Sequence, residues 1–116
     1  MTNSTHLPHV TEAAFDVEVL GAPVPVLVDF TAAWCAPCRV LEPILARVAA
    51  DAGPTLRVVS VDGDDSPGLS ARYGVRGFPT VIAFVAGKEV ARQVGVASKE
   101  KLLAMVRATS TVSPAV

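Results

Sequence analysis

The segment Val26-Leu27-Val28-Asp29-Phe30 constrains the fold more than any other stretch of this chain. It is almost continuously apolar and does not alternate. That pattern belongs to a strand covered on both faces, as in the centre of an α/β sheet. One carboxylate, Asp29, lies inside the run. Trp34-Cys35-Ala36-Pro37-Cys38 follows, and then a stretch with helical periodicity to about Ala52. Val40, Leu41, Ile44, Leu45 and Val48 are expected to form its buried stripe, and Gly53-Pro54 to end it. Pro43 removes one backbone hydrogen bond, so it predicts a kink and not a stop.

The remaining chain completes an alternating pattern. Thr11 can cap a helix over about 12–20, with Ala14, Phe15 and Val19 spaced for burial. Leu56 to Val61 reads as a strand. A loop and a short helix through about Tyr73 follow, closed by Gly74. Thr80 to Phe84 is a third strong strand, and Ala86-Gly87-Lys88 turns it into a fourth over Glu89 to Val94. Ser98 caps a last amphipathic helix through about Ala108, with Leu102, Leu103 and Val106 on one face. The expected class is α/β, a single domain with a central mixed β-sheet and helices on both faces. The 116 residues divide into a lead-in over 1–10, with a short edge strand near His6 to Val10, a domain over 11–109 and a frayed tail over 110–116.

The chain is 51% hydrophobic and 18% charged, which suits a packed core and excludes a disordered chain. Net charge is −1 with no basic run, so nucleic-acid binding is not expected. Apolar runs are broken well short of a membrane span, and the first residues carry no basic-then-apolar secretory pattern. The expectation is a soluble, cytoplasmic protein.

Cys35 and Cys38 are the only cysteines. Two thiols at this spacing, at the start of a helix, can open and close one small disulfide ring. A domain of this size folds without staples, and so short a ring removes little chain entropy, so a structural role is disfavoured. Zinc needs further Cys or His ligands, and only His6 and His9 exist. The turn Asp62-Gly63-Asp64-Asp65 lacks the closing Glu of a calcium loop and reads as a solvated turn. No metal is expected.

Val28 to Arg39, Pro43, Asp64 to Pro67, Tyr73 to Thr80, Gly87 and Gly95 follow, in order and spacing, the pattern of the thioredoxin family, which this chain closely resembles from about Phe15 to Arg107. The resemblance implies a thioredoxin fold and a protein dithiol–disulfide oxidoreductase that reduces client disulfides through a mixed-disulfide intermediate. Cys35 looks like the nucleophile, ionised and solvent-facing at the helix tip, where unpaired N–H groups favour the anion. Cys38 looks like the shielded resolving thiol, completing a Cys35–Cys38 redox disulfide. Asp29 matches the family's buried acid; its pKa should rise with burial, which suits a base for Cys38. Relatives often carry a Lys on the neighbouring strand, where Ser60 stands here. Ala36 replaces the usual Gly and should change the reduction potential modestly.

By the same resemblance, Pro79 follows a cis peptide bond and presents the backbone of Phe78 to an extended client. Trp34 is expected as a half-open lid beside the cysteines, with Ala36 and Pro37 as client contacts between them. Arg76, Gly77, Val94, Gly95 and Val96 would extend an apolar client groove, the glycines admitting close backbone approach. The thiols carry the electrons, so no cofactor is implied. The implied partners are a flavoprotein reductase and client proteins with accessible disulfides, served by a monomer. Two alternatives are an extracytoplasmic thiol oxidoreductase or isomerase, and a non-catalytic binding module on the same fold.

Overall fold

A computed structural model describes residues 7–112, with side chains through residue 107. Residues 1–6 of the lead-in and 113–116 of the tail lie outside the described part. The order is β1 (Val26–Thr31), α1 (Ala36–Ala52), β2 (Arg57–Asp62), α2 (Pro67–Arg72), β3 (Thr80–Val85), β4 (Lys88–Val94) and α3 (Lys99–Val112). The sheet runs β2-β1-β3-β4. β1 pairs parallel with β2 and antiparallel with β3, and β3 pairs antiparallel with β4. The sheet is therefore mixed. β1 lies inside it, which explains why its side chains do not alternate in polarity.

Strand alternation sorts the core into two layers. Leu27, Val58, Val81 and Ala83 pack against Leu41, Leu45 and Val48 of α1 and Leu102, Met105 and Val106 of α3. Val26, Val28, Phe30, Val59, Val61, Ile82 and Phe84 point the other way, against Phe15, Val19 and Leu69. Helices thus cover both faces. Asp29 and Thr31 share parity with Leu27, so they face α1.

The β3–β4 hairpin turns through Ala86 (φ 52°) and Gly87 (φ 81°), the left-handed pair that a two-residue loop matching strand twist requires. The amino-terminal segment touches the outer edge of β2 through one parallel bridge, His9 to Ser60. Val10 N–H donates to the Ser60 carbonyl, and Ser60 N–H to the Pro8 carbonyl, each at 2.9 Å.

Four local expectations differ from what is found. The first helix is a turn followed by a π-helical segment over Asp16–Leu20, closed by Gly21 N–H on the Asp16 carbonyl at 2.9 Å. Gly21 permits this: a Cβ there would stand 2.8 Å from the Val17 carbonyl oxygen. Val40 is 57% exposed, because the buried line of α1 runs Cys38, Leu41, Leu45, Val48 and leaves position 40 turned about 100° away. Helix α3 continues to Val112, past Ala108 where its amphipathic pattern stops. The edge strand near His6 to Val10 is reduced to the single bridge at His9, and residue 6 lies outside the described part.

Candidate active site

Helix α1 begins where β1 ends, and the loop between them carries the cysteines. Cys35 is the N-cap of α1, with extended backbone (φ −92°, ψ 109°), and its Sγ accepts the Cys38 N–H at 3.2 Å. A sulfur in that position meets the unpaired amides and the positive end of the helix dipole, both of which favour a thiolate. Pro37 lies in the first turn, where its missing N–H costs nothing. The two cysteines are joined in a disulfide, with Cα atoms 5.3 Å apart.

Cys35 does not face solvent in this oxidised form. Both cysteines are only 3% exposed, in a small apolar cluster with Ala32 onto which Phe78 packs. The burial comes from this packing, since Phe78 lies against the cluster of both cysteines and Ala32. Exposure falls instead on the neighbours. Ala36 and Pro37 are exposed, and Trp34 is 67% exposed. The Trp34 ring meets Phe78 edge-on at 5.8 Å between centroids, and its Nε1–H donates to Asp64 Oδ2 at 2.6 Å.

The Phe78–Pro79 peptide bond is cis, and Pro79 is buried. Gly95 N–H donates to the Pro79 carbonyl at 2.9 Å, and Thr80 Oγ donates to the Gly77 carbonyl at 2.8 Å. The first bond ties the loop 76–79 to the end of β4, and the second closes the loop on the start of β3. Val94 and Val96 are exposed apolar side chains flanking Gly95 (φ 87°). A Cβ built on Gly77 or Gly95 meets nothing within 4 Å, so both glycines open onto free space. Arg76 is exposed on the same loop, and no described hydrogen bond or ion pair ties it to the sulfurs.

Asp29 is 2% exposed, and its Oδ1 has no hydrogen-bond partner among the described residues. Its register partners are Ser60 on β2 and Val81 on β3. Neither register partner is a cation. Its pKa rises from 3.8 to about 7, chiefly because burial disfavours the charged form and secondarily because of the negative charge of Glu42. On α1, Glu42 sits four residues after Cys38 and so on the same face. Both line a cleft of about 270 Å³, together with Thr31, Arg39, His9 and Asp62.

Glu42, Asp64 and Gly63 were not among the expected site residues. Only the i, i+4 spacing from Cys38 could have pointed to Glu42. Asp64 belongs to the turn expected to be solvated, and it is exposed, yet its side chain holds Trp34. Gly63 lies under Phe78, where a Cβ would stand 2.3 Å from the ring. Among the described residues no three His, Cys, Asp or Glu side chains converge as a metal site, and no helix is long and apolar enough to cross a membrane.

The family profile for thioredoxin matches residues 6–108. A thioredoxin of Pseudomonas aeruginosa is 42% identical over 105 residues, covering 90% of this chain and 97% of that protein. A thioredoxin of Pyropia yezoensis is 41% identical over 93 residues, covering 80% of this chain and 87% of its own length. Thioredoxin 1 of Synechococcus elongatus is 41% identical over 93 residues with the same coverage.

Proposed function

This chain belongs to the thioredoxin family and is a protein dithiol–disulfide oxidoreductase that needs no cofactor beyond its cysteine pair, and we propose a division of labour within its site. Cys35 is the nucleophile. Its thiolate attacks one sulfur of a client disulfide; the Cys35–client bond forms, and the second client sulfur leaves and takes up a proton. Cys38 resolves. It gives its proton to Asp29 and attacks Cys35; the Cys35–Cys38 bond forms and the first client sulfur leaves. Two electrons pass from the cysteine pair to the client, whose two sulfurs leave as thiolates and take their protons from solvent, while the Cys38 proton stays on Asp29.

The observation that carries this reading is Cys35 Sγ at the N-cap of α1, accepting the Cys38 N–H and bonded to Cys38. The raised pKa of Asp29 supports its part, since a base with pKa near 7 can accept a thiol proton at neutral pH. Trp34, Ala36 and Pro37 with the loop 76–79 and Val94, Gly95 and Val96 form the client surface. Phe78 offers its backbone to an extended client strand, as strand addition requires. Thioredoxins work between a reductase and client proteins. For this chain we take the reductase to be a flavoprotein, the protein to act as a cytoplasmic monomer, and its task to be electron supply for redox homeostasis. Residues 11–109 are the functional unit.

The test is insulin-disulfide reduction with a reductase supplied. Cys35→Ser should be inactive. Cys38→Ser should accumulate a covalent mixed disulfide that a thiol reductant releases. A Cys35→Ser protein that still turns over, or a Cys38→Ser protein that traps nothing, overturns the assignment.

A further inference from the structure

The established chemistry leaves one half-buried acid unused. Glu42 lies one turn beyond Cys38 on α1, and the two share the wall of the 270 Å³ cleft. Thr31 lies on the opposite wall, two residues along β1 from Asp29 and on the same face of the strand. Leu27, two residues the other way, packs on the layer holding Leu41 and Leu45 of α1. Asp29 thus lies on the α1 side of the sheet, between core-facing Leu27 and cleft-lining Thr31, and does not itself line the cleft. Its Oδ1 is buried and takes no hydrogen bond from any described residue.

Charged and titratable groups near Asp29 come from β2, α1 and the amino-terminal segment. From β2 come Ser60, which is uncharged, and Asp62; from β3 comes Val81. From α1 come Glu42 and Arg39, and the guanidinium of Arg39 is turned to the Ala33 carbonyl at 2.9 Å. From the amino-terminal segment comes His9, exposed beside the cleft. We propose that Glu42 is a positioning residue of the resolving step: its carboxylate makes Asp29 a stronger acceptor for the Cys38 proton, and the cleft beside it is the route by which that proton reaches solvent. A cleft of this size holds several waters, enough to carry a proton between carboxyls. The step balances: Cys38 S–H gives its proton to Asp29, the Cys38 sulfur replaces the client sulfur on Cys35, the client sulfur leaves as a thiolate and takes a proton from solvent, and the Asp29 proton returns to solvent by way of the cleft. The burial of Asp29 and the like charge of Glu42 act in the same direction, so removing Glu42 must weaken Asp29 as a base.

This inference rests on Asp29 being the base. The full-length protein serves for the test, in two measurements. Carboxyl NMR follows the titration of Asp29 in the disulfide form, where the cysteines do not titrate. Single-turnover oxidation of the reduced protein by insulin disulfides gives the pH profile. Glu42→Gln should move the Asp29 titration and the acid limb of the profile to lower pH together. Glu42→Lys should move both further. Glu100→Gln, the same charge change on α3, should move neither. An Asp29 titration identical in parent, Glu42→Gln and Glu42→Lys overturns the proposal. Asp29→Asn separates the two readings. An acid limb that vanishes in Asp29→Asn but stays fixed in Glu42→Gln overturns the role of Glu42 alone. An acid limb that survives Asp29→Asn overturns Asp29 as the base, and the role of Glu42 with it.

Discussion

Replacing Asp29 by Asn should change how the stability of this protein depends on pH, in a direction fixed by the site. In the folded chain Asp29 keeps its proton until about pH 7, whereas an unfolded Asp loses it near 3.8. Between those values the folded state binds one more proton than the unfolded state, so stability falls as pH rises. The contribution is fully present below about pH 4 and is gone above pH 7. A window of about three pH units at about 1.4 kcal/mol per unit gives a loss of about 4 kcal/mol. Set against a total stability of about 5–15 kcal/mol for an ordinary domain, that loss is large enough to measure. The assay is urea unfolding of the disulfide form at closely spaced pH values from 4 to 8.5. Asn cannot titrate. It leaves a buried amide whose cost is the same at every pH, so the difference between the two curves isolates the carboxyl. The parent should lose stability relative to Asp29→Asn as pH rises from 4 to 7, and the gap should level off above that. Parallel curves over the whole range would refute the argument that Asp29 is buried without a partner that favours its charged form.

Two further substitutions probe the surface around the sulfurs. Gly63→Ala places a Cβ 2.3 Å from the Phe78 ring and must push that ring off the cysteine cluster; we expect a loss of about 1–3 kcal/mol in urea unfolding, as for other overpacked sites, together with slower insulin reduction. Trp34→Ala removes an exposed side chain held by Asp64 and Phe78; KM for insulin should rise severalfold while stability shifts by about 1 kcal/mol or less, as at other exposed positions.

What the sequence made legible follows from whether the information is local. The non-alternating run at β1 and the stripe of Leu41, Leu45 and Val48 on α1 are periodic signals within single elements, and both elements form where the pattern places them. The Ala86-Gly87 turn carries its own backbone requirement. Ser60 as the neighbour of Asp29 was legible only through the family resemblance, and the parallel register of β1 and β2 pairs the two residues. The misses lie between elements or between near-equal alternatives. Val40 and Leu41 are adjacent apolar residues, and only the angle at which α1 meets the sheet decides which is buried. A π-turn and an α-turn over Asp16–Leu20 differ by one residue in a hydrogen bond that Gly21 permits. The contact between Trp34 and Asp64 spans thirty residues of sequence. Cys35 was expected to face solvent because the helix tip is at the surface, but Phe78, from a loop distant in sequence, packs on the cluster it forms with Ala32 and Cys38.

The placement of Asp29 shows why the site sits where it does. A strand in the middle of a sheet, covered by helices on both faces, is the least hospitable position for an acid. Burial there raises its pKa and weakens the fold at neutral pH. A stronger fold would place an apolar side chain at position 29, beside Leu27 and opposite Val81. The chain instead keeps a carboxyl there, pairs it across the strand with a serine and sets a glutamate above it. Each choice raises its proton affinity further or fails to lower it. The same strand runs on through Thr31 into the loop that ends at Cys35, so one buried strand fixes both the sulfurs and the base we propose for them. An acid on a surface loop would cost less stability, but water would hold its pKa near the ordinary value, and it would be too weak to draw the proton from a thiol. The burial that destabilises the fold is what fits Asp29 for the part of base that we propose for it.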